Sequence, residues 1–568
     1  MSPEGTSFGA YIPRVRGLMD KVTVGEVIAA FLERCKVTTS FGVISIHNMP
    51  ILDAFHRRGK MRFVPARSEA GALNMADAHA RVGGGLGVGI TSTGTAAGNA
   101  CGAMVEALTA GTALLHLTGQ IELAYLDRKL AYIHEARDQM TMLGAVSKAA
   151  WRVWRPETAL PTIKEAVRVA MTAPTGPVSV EIPIDIQAAL IDWPADLDPL
   201  PLAQSVPSAA ALSVLADRLA KAKRPLLWLG GGARHAGKAV KRLVDLGFGV
   251  VTSVQGRGIL PEDHAMTLGA YNLYGPVEAF YATCDAMLVV GSRLRSNETL
   301  TYKLKLPQPL YRIDCDAQAE NRCYASEFFL SGDAELALNG LADRLAGTMR
   351  IDTAFPGDLA AARGAAREVV RSGLGPYSAL VDALQNAAGK DFVWVRDVTV
   401  SNSTWGNRAL RISGPRDGVH ALGGGIGQGV QMAVGAALAA TGRKTLCLVG
   451  DGGLQVNIGE LATLVQENAD VVVILMNDRG YGVIRNIQDA QYGGRRAYVD
   501  LHTPDFEMLA RAIALPFVRL GDLGAAPAAL AAALARSGPT LIEIDMLAIG
   551  PFATAFAGPP VKKEPLRA

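Results

Sequence analysis

The sequence predicts an α/β protein built from three doubly wound parallel-sheet domains, and three observations carry that expectation. Short apolar runs alternate with amphipathic helical stretches along almost the whole chain, the pattern of strands joined by crossover helices. At 568 residues the chain is long enough for several domains. Two stretches divide the alternation into three: DWPADLDPLPLAQSVP at 192–207, rich in proline and aspartate, and a Gly/Ala/Arg-rich connection over 345–375.

The elements follow in order. Residues 1–20 read as a loose arm. The first unit, 21–190, opens with the amphipathic helix VTVGEVIAAFLERC. Then TTSFGV, MRFVPA, GLGVGIT and TALLHLT read as strands, and MPILDAFHRR, SEAGALNMADAHAR and TAAGNACGAMVEALTA as the helices between them; PVSVEIP (177–183) closes the series. The second unit, 205–345, starts at RPLLWLGGGARHAGKAVKRLVDLG, a strand running through glycines into a helix. It continues through GVVTSV, CDAMLVVGSRL and PLYRIDCD to the helix SGDAELALNGLADRL. The third unit, 376–550, has DFVWVRDV as a strand, TVSNSTWGN as a polar loop, and ALGGGIGQGVQMAVGAALAA as a Gly-rich turn running into a helix. PTLIEIDML is its last strand, and 551–568 is a tail too rich in proline for a helix.

Composition narrows the function. Hydrophobic residues make up 49% and charged residues 19%, as expected of a soluble protein with large cores. A net charge of +3 without a basic block argues against a nucleic-acid partner. The N-terminus has no apolar run of the signal-peptide kind, and no stretch is long and apolar enough for a membrane helix. Six cysteines without a CxxC pair (35, 101, 284, 315, 323 and 447) read as buried thiols of a cytoplasmic protein.

The most informative stretch is GDGGLQVNIGELATLVQENADVVVILMNDRGYG, 450–482. TLCLV (445–449) reads as a buried strand, Gly450–Gly453 as a sharp turn, and Val456, Ile458, Leu461, Leu464 and Val465 as the apolar face of a helix leaving it. VVVILM (471–476) is the next strand, with Asn477-Asp478-Arg479-Gly480 at its end. Parallel strands joined by a helix put both turns on the carboxyl edge of one sheet, where α/β proteins bind ligands. Asp451, the amide oxygen of Asn477 and a nearby backbone carbonyl, assigned to Arg479, then form an oxygen-only site suited to Mg2+ and to the phosphates it carries. Gly452, Gly453 and Gly480, with Tyr481 after them, let backbone N–H groups approach those phosphates. A bare GDG is more often an ordinary turn; the strand, turn, helix and strand around it, with an Asn 26 residues after the Asp (477 − 451), make this one specific.

This wording resembles the thiamine-diphosphate signature, and most closely the acetolactate synthase branch of that superfamily. The resemblance covers nearly the whole chain and implies pyrimidine-binding, middle and diphosphate-binding domains. It implies thiamine diphosphate and Mg2+ as cofactors, and a homodimer or homotetramer whose active sites lie between chains. RSEAGALNMADAHAR (67–81) is similar to the family helix that supplies a glutamate to the aminopyrimidine, which points to Glu69. That carboxyl favours the imino tautomer, which removes the C2 proton; the bland alternative is an acidic residue favoured by a helix N-terminus. Gly425 and Ile426, in GGGIGQG, match the turn where the family places a bulky aliphatic wedge between the cofactor rings. Val400 and Ser401 lie in the loop where relatives touch the diphosphate. The middle domain of such enzymes is often structural and sometimes holds FAD. GGGA alone is weak evidence of binding, so the structural reading is the expectation here.

The substrate side departs from the family. Where relatives carry a Pro-Gly turn, this chain reads Phe41-Gly42-Val43-Ile44-Ser45-Ile46-His47-Asn48. His47 resembles the histidine that benzaldehyde lyase carries at about this place. It is either a proton relay or a satisfied structural residue. Gln120 matches a family glutamine facing the reaction centre, and Thr91-Ser92 resembles the Thr-Ser of acetolactate synthases. His134 and Glu135 fall in a segment similar to the family's Phe-Gln-Glu.

The expected function is a carboligase or lyase acting on a 2-keto acid or 2-hydroxy ketone through an enamine, with the acetolactate-synthase-like wording favouring ligation. The alternatives are a simple 2-keto acid decarboxylase, a benzaldehyde-lyase-like C–C lyase (some resemblance extends to benzoylformate decarboxylase), and a non-catalytic cofactor-binding regulatory homologue.

Overall fold

A computed structural model describes residues 21–558. The arm expected over 1–20 and residues 559–568 of the tail lie outside the described residues.

Each of the three units is a doubly wound, fully parallel sheet, as expected. The first sheet runs Arg62–Pro65, Thr39–Gly42, Gly87–Thr91, Leu114–Gln120, Pro177–Pro183, Ala149–Arg152 from edge to edge. The third runs Gly418–His420, Phe392–Arg396, Lys444–Gly450, Val471–Asn477, Thr540–Asp545, Phe517–Leu520. Numbered by sequence within each unit, both have the order 2-1-3-4-6-5, so the first and third units share one topology. The middle sheet has five strands in the order 2-1-3-4-5: Gly249–Thr252, Pro225–Leu229, Ala286–Val290, Leu310–Asp314, Phe328–Ser331. A short antiparallel pair, Lys21–Thr23 with Leu190–Asp192, ties the entry of the first unit to its exit.

The apolar runs become central strands because both sheet faces are covered; Val471–Met476, for example, is wholly buried. The cores follow the same logic. One face of the first sheet and one of the middle sheet pack within their own units. The other faces are shared. One core joins the first and third units through Phe41, Ala72, Met75, Val430, Val434 and Val473, and another joins the middle and third units through Trp228, Phe355, Trp394 and Trp405. The most extensive helix contact lies in the first of these shared cores, where Glu69–Gly83 packs on Gly429–Ala439.

Several local expectations need correction. No separate turn precedes the helix after Lys444–Gly450. Asp451 is itself the first residue of helix Asp451–Val456, and the chain breaks at Asn457 before a second helix, Glu460–Gln466. The stretch 345–375, read as a plain connection, holds the 20-residue helix Phe355–Leu374. Its buried Phe355, Leu359, Ala362, Ala366, Val370 and Leu374 form one helical stripe on the core between the middle and third units. The polar loop TVSNSTWGN winds into a wide helical turn over Asn402–Gly406. The edge strands Ala149–Arg152, Gly418–His420 and Phe517–Leu520 are short and were not expected. Of the six free cysteines only Cys284 and Cys447 are buried, and Cys323 is exposed. No helix among the described residues is long and apolar enough to cross a membrane.

The shared core requires Gly435. A methyl group there would overlap the carbonyl oxygen of Met75 on the facing helix. Gly435→Ala should therefore cost about 1–3 kcal/mol through overpacking and lower the unfolding temperature by several degrees. Gly364→Ala, on the helix Phe355–Leu374 with nothing near its absent side chain, should leave the temperature unchanged or raise it. Calorimetry of the two variants checks this.

Candidate active site

The third sheet's carboxyl edge gathers the residues singled out around the GDG stretch. Register pairs Gly450 with Met476, so Asp451 and Asn477 leave neighbouring strands side by side. The Asp451 carboxylate is fully buried. Its Oδ1 accepts only a long bond from the Asp478 N–H, 3.3 Å, and its Oδ2 has no partner. Burial, reinforced by the neighbouring Asp478 carboxylate, pushes the Asp451 pKa up to about 7. Asn477 is oriented by two contacts. Its amide donates to Glu543 Oε1 at 2.7 Å, and its Oδ1 accepts the Arg479 N–H at 3.1 Å, which leaves one lone pair on that oxygen. Arg479 sits in the left-handed region, φ 55°, which turns the chain sharply after the strand.

Tight glycine contacts hold the surrounding turns together. A Cβ on Gly452 would stand 2.8 Å from the Tyr481 ring, and one on Gly450 would stand 2.9 Å from Thr399 Oγ1. Val400 lies where a Gly482 side chain would meet it, at 3.5 Å. Gly453 and Gly427 back onto one another and onto Asp397. The structure thus brings together Val400, Ser401, Asp451, Gly452, Gly453, Asn477, Gly480 and Tyr481, with the turn bearing Gly425 and Ile426 beside them. Ile426 is 38% exposed and joins no core, while the Ser401 hydroxyl is buried without a partner.

This donor set fits a divalent cation with a diphosphate. A buried carboxylate has an orphaned oxygen and no basic partner, and an amide oxygen beside it has a lone pair to spare. No cluster of three His, Cys, Asp or Glu side chains that could hold a metal exists among the described residues. A cation here would therefore draw its remaining ligands from backbone, water and phosphate, the habit of Mg2+.

Asp397, which the sequence reading passed over, supports the cradle. It is buried at the end of strand Phe392–Arg396, and its carboxylate accepts the Val398, Gly427 and Gln428 N–H groups at 2.7, 3.0 and 3.4 Å. Burial raises its pKa to about 6 despite those bonds. Its position at a strand's carboxyl end was the available signal.

The first sheet's carboxyl edge carries the other candidates. Glu69 begins helix Glu69–Gly83, N-capped by Ser68, and is half-buried; its Oε2 accepts from Asn99 Nδ2 at 3.1 Å. The turn before it is fastened to the third unit, because buried Glu460 accepts the Arg67 and Ser68 N–H groups at 3.1 and 3.0 Å. His47 is buried, with Nδ1 3.3 Å from Ser92 Oγ and its ring edge-on to His134, centroids 5.3 Å apart. Burial and the neighbouring His134 hold its pKa below the ordinary histidine value, so the ring is neutral at pH 7. His134 has φ 68°, and its carbonyl lies where any side chain on Gly94 would stand. Glu135 accepts the Tyr132 N–H at 3.3 Å. Thr91 turns inward to His116 Nε2, 2.8 Å, so of the Thr-Ser pair only Ser92 faces His47. Gln120 Oε1 accepts from the Thr93 hydroxyl, 2.7 Å, and the Ile121 N–H, 2.8 Å, inside a buried network that includes Gln139 and Glu181. Among the described residues no hydrogen bond or ion pair joins Glu69 to Asp451.

Comparison with known proteins matches these three units one by one. Residues 22–142 match the thiamine pyrophosphate enzyme N-terminal TPP binding domain, 212–341 its central domain, and 399–544 its C-terminal TPP binding domain. Three parallel-sheet units in that order define the class: a thiamine-diphosphate-dependent enzyme that forms or cleaves C–C bonds. Among curated relatives, the probable 2-ketoarginine decarboxylase AruI of Pseudomonas aeruginosa is 32% identical over 530 residues, 92% of this chain and 94% of that protein. The acetolactate synthase large subunit of Parasynechococcus marenigrum is 28% identical over 91% of this chain and 86% of its own length. The chloroplastic acetolactate synthase 2 of Nicotiana tabacum is 26% identical over 91% and 81%. The chain belongs to the thiamine pyrophosphate enzyme family.

The Asp451 environment sets a two-sided expectation. Its raised pKa means that the ionised carboxylate costs stability, a cost that grows as pH rises above the unfolded value of 3.8 and is complete above about 7. Asp451→Asn should therefore raise the unfolding temperature of the cofactor-free protein at pH 8, and by less at pH 5. The same variant should weaken Mg2+-dependent thiamine diphosphate binding by more than about tenfold, read by titration calorimetry.

Proposed function

We propose that this enzyme decarboxylates a 2-keto acid and protonates the carbon left behind, releasing an aldehyde. The observation that carries this reading is the neutral, buried His47, in contact with Ser92 and His134 on the edge of the first sheet. A neutral imidazole has one proton and one lone pair, so His47 can pass a proton between Ser92 and a substrate atom. Thiamine diphosphate, when bound, supplies the carbanion donor and the electron sink. Asp451, Asn477 and the Arg479 carbonyl would hold Mg2+ and through it the diphosphate. Gly452, Gly453, Gly480, Tyr481, Val400 and Ser401 would line the phosphates, and Gly425 would let Ile426 stand between the rings. Glu69 would hold the pyrimidine proton, and Gln120 would act as a positioning residue through its buried network. The relative named a 2-ketoarginine decarboxylase supports a keto acid substrate.

Ligation to a second carbonyl is the second reading, favoured by the relatives named acetolactate synthases. The absence of any thiol pairing supports a reducing, cytoplasmic setting.

A panel of 2-keto acids, with and without aldehyde acceptors, tests the proposal through released CO2, aldehyde and hydroxy ketone. Aldehyde as the main product supports it; hydroxy ketone as the main product transfers the case to ligation, and no CO2 from any keto acid overturns both. His47→Ala should lower kcat by about a hundredfold, the scale of a lost general acid–base group, with hydrogen exchange at the cofactor's C2 unchanged. Parental rates in that variant would leave His47 a structural residue.

Glu69 and Asp451 stand on separate edges within one chain, which supports active sites completed by a second copy in a homodimer or homotetramer. A Glu69→Gln chain and an Asp451→Ala chain, each inactive alone, should then regain about a quarter of the parental activity when co-refolded. Random pairing makes about half the dimers mixed, and each mixed dimer has one intact site of two. Verified mixed dimers with no activity would place both residues at one chain's own site.

A further inference from the structure

The reaction proposed above consumes a proton. A 2-keto acid anion and one proton give an aldehyde and CO2, so every turnover must bring one proton from water to the carbon left behind. His47 is placed for the last transfer, but it is only 3% exposed. Its Nδ1 lies against the Ser92 hydroxyl, a group that passes a proton and does not store one near neutral pH. The supply to His47 must therefore run through a neighbour that meets water and can hold a proton, which among side chains is the role of histidine.

His134 is such a neighbour. It is exposed, and its ring stands edge-on to that of His47, centroids 5.3 Å apart and planes at 82°. No hydrogen bond joins the two rings among the described residues, and the separation is one that a single water can bridge. Glu122 also lies within electrostatic reach of His47, but its Oε2 is engaged by the Tyr132 hydroxyl at 3.0 Å. The residues next to the two histidines, Ile46 and Ile133, are 59% and 69% exposed, so this edge faces the side from which substrate and water arrive.

Both histidines are seated in the same way. The His47 carbonyl accepts from Gln187 Nε2 at 2.7 Å and lies 2.1 Å from where a Cβ on Gly119 would stand. The His134 carbonyl lies 2.0 Å from where a Cβ on Gly94 would stand. Gly94 is itself fixed, because its N–H donates to Gln139 Oε1 at 2.7 Å and Gln139 Nε2 donates to the buried Glu181 at 2.8 Å. A side chain at either glycine would push a histidine away from its partner.

The segment that presents His134 is strained and clamped. Residues 121–138 form an irregular loop between strand Leu114–Gln120 and helix Gln139–Val146. Within it Asp127, Lys129, Ala131 and His134 have φ between 54° and 68°. Left-handed backbone at four non-glycine residues costs free energy and persists only where the surroundings impose it, a pattern that gathers at functional sites. Two contacts impose it here. Arg152, paired with Glu181, reaches out to Asp127 Oδ2 at 2.6 Å. Tyr132 stacks on Tyr125, centroids 4.9 Å apart, besides its bond to Glu122.

We propose that His134 is the proton carrier of this site, taking protons from water and delivering them to His47. The inference rests on the decarboxylation reading. An N–H bond of protonated His134 breaks, and the proton passes through the bridging water to a ring nitrogen of His47. His47 then gives a proton to the carbon left by CO2, an N–H bond breaking as the C–H bond forms, and is neutral again. His134 recovers its proton from solvent, so the net uptake is the one proton that the reaction requires. The burial that keeps His47 neutral at rest makes its protonated form a ready donor.

The test uses the full chain saturated with thiamine diphosphate and Mg2+, and the 2-keto acid that the parent decarboxylates fastest. His134→Asn keeps a residue that tolerates left-handed backbone and removes the proton-carrying ring. Its kcat should fall by about a hundredfold, the lower end for a lost acid–base group, with KM and hydrogen exchange at the cofactor's C2 unchanged. Imidazole added to the solution should restore much of the lost rate, saturably, because the missing ring is one that water reaches, and should leave the parent unaffected. His134→Gln should behave alike, and unfolding temperatures close to the parent's show that neither variant has lost its fold. Parental kcat in both variants, or a lowered kcat indifferent to imidazole, overturns the carrier. Release of no CO2 by the parent from any 2-keto acid is a separate result: it removes the decarboxylation reading, and the carrier falls with it.

Discussion

The packing of helix Glu69–Gly83 on helix Gly429–Ala439 is the contact on which the rest of the structure depends. It is close because Gly435 presents no side chain to the Met75 carbonyl. It is apolar on both sides, through Ala72, Met75, Ala76, Val430, Ala433 and Val434. The N-terminal end of each helix lies at a candidate ligand edge: Glu69 starts one, and the turn with Ile426 precedes the other. Fixing the crossing of the two helices therefore fixes where both edges face. Buried polar contacts lock the same arrangement. Arg81 reaches from the first helix to His420 O at 2.8 Å, and Glu106 accepts the Leu422 and Gly423 N–H groups at 2.7 and 2.6 Å. Taking Glu106 away would leave the Arg81 charge underpaired in the interior, which costs more than the pair itself contributes.

The shared topology of the first and third units makes their edges comparable position by position. Ser92 follows the third strand of one unit as Asp451 follows the third strand of the other. Gln120 ends the fourth strand as Asn477 does. The same backbone positions carry different chemistry. In the third unit they present a carboxylate, an amide oxygen and glycine turns, suited to a cation and a polyanion. In the first they present a hydroxyl, an amide turned into its own network and a neutral imidazole nearby, suited to moving single protons. One fold used twice thus carries two unlike sets of groups at its strand ends, so function is read from those residues and not from the sheets.

Much of this was legible in the sequence because it is local. Continuous apolar runs mark strands covered on both faces, and the spacing from Asp451 to Asn477 fits one strand–helix–strand unit. What escaped is long-range. Asp397, Glu106 and Glu460 are ordinary acidic residues in the sequence; their roles arise only when chain segments distant in sequence bring N–H groups to them. Helix Phe355–Leu374 escaped for another reason. Its apolar stripe was present, but a third of it is alanine, and the Gly and Arg around it suggested a flexible connection. The Thr91-Ser92 pair shows the limit of motif reading, since adjacent strand-end residues point to opposite sides and only one of them reaches the site.

Partner count separates Asp451 from the buried carboxylates that hold this fold together. Asp397 accepts three backbone N–H groups, Glu106 two and a guanidinium, Glu460 two together with the Ser68 and Thr463 hydroxyls. Glu543 accepts from Asn477 and Arg519. Each is satisfied by the chain alone, as buried charges must be if they are structural. Asp451 differs: it is as deeply buried, has one long bond, lies against a second acid and leaves an oxygen with nothing to accept. That contrast supports the cation-binding role proposed for Asp451. The contrast lies within one molecule and singles out Asp451 independently of the motif that surrounds it.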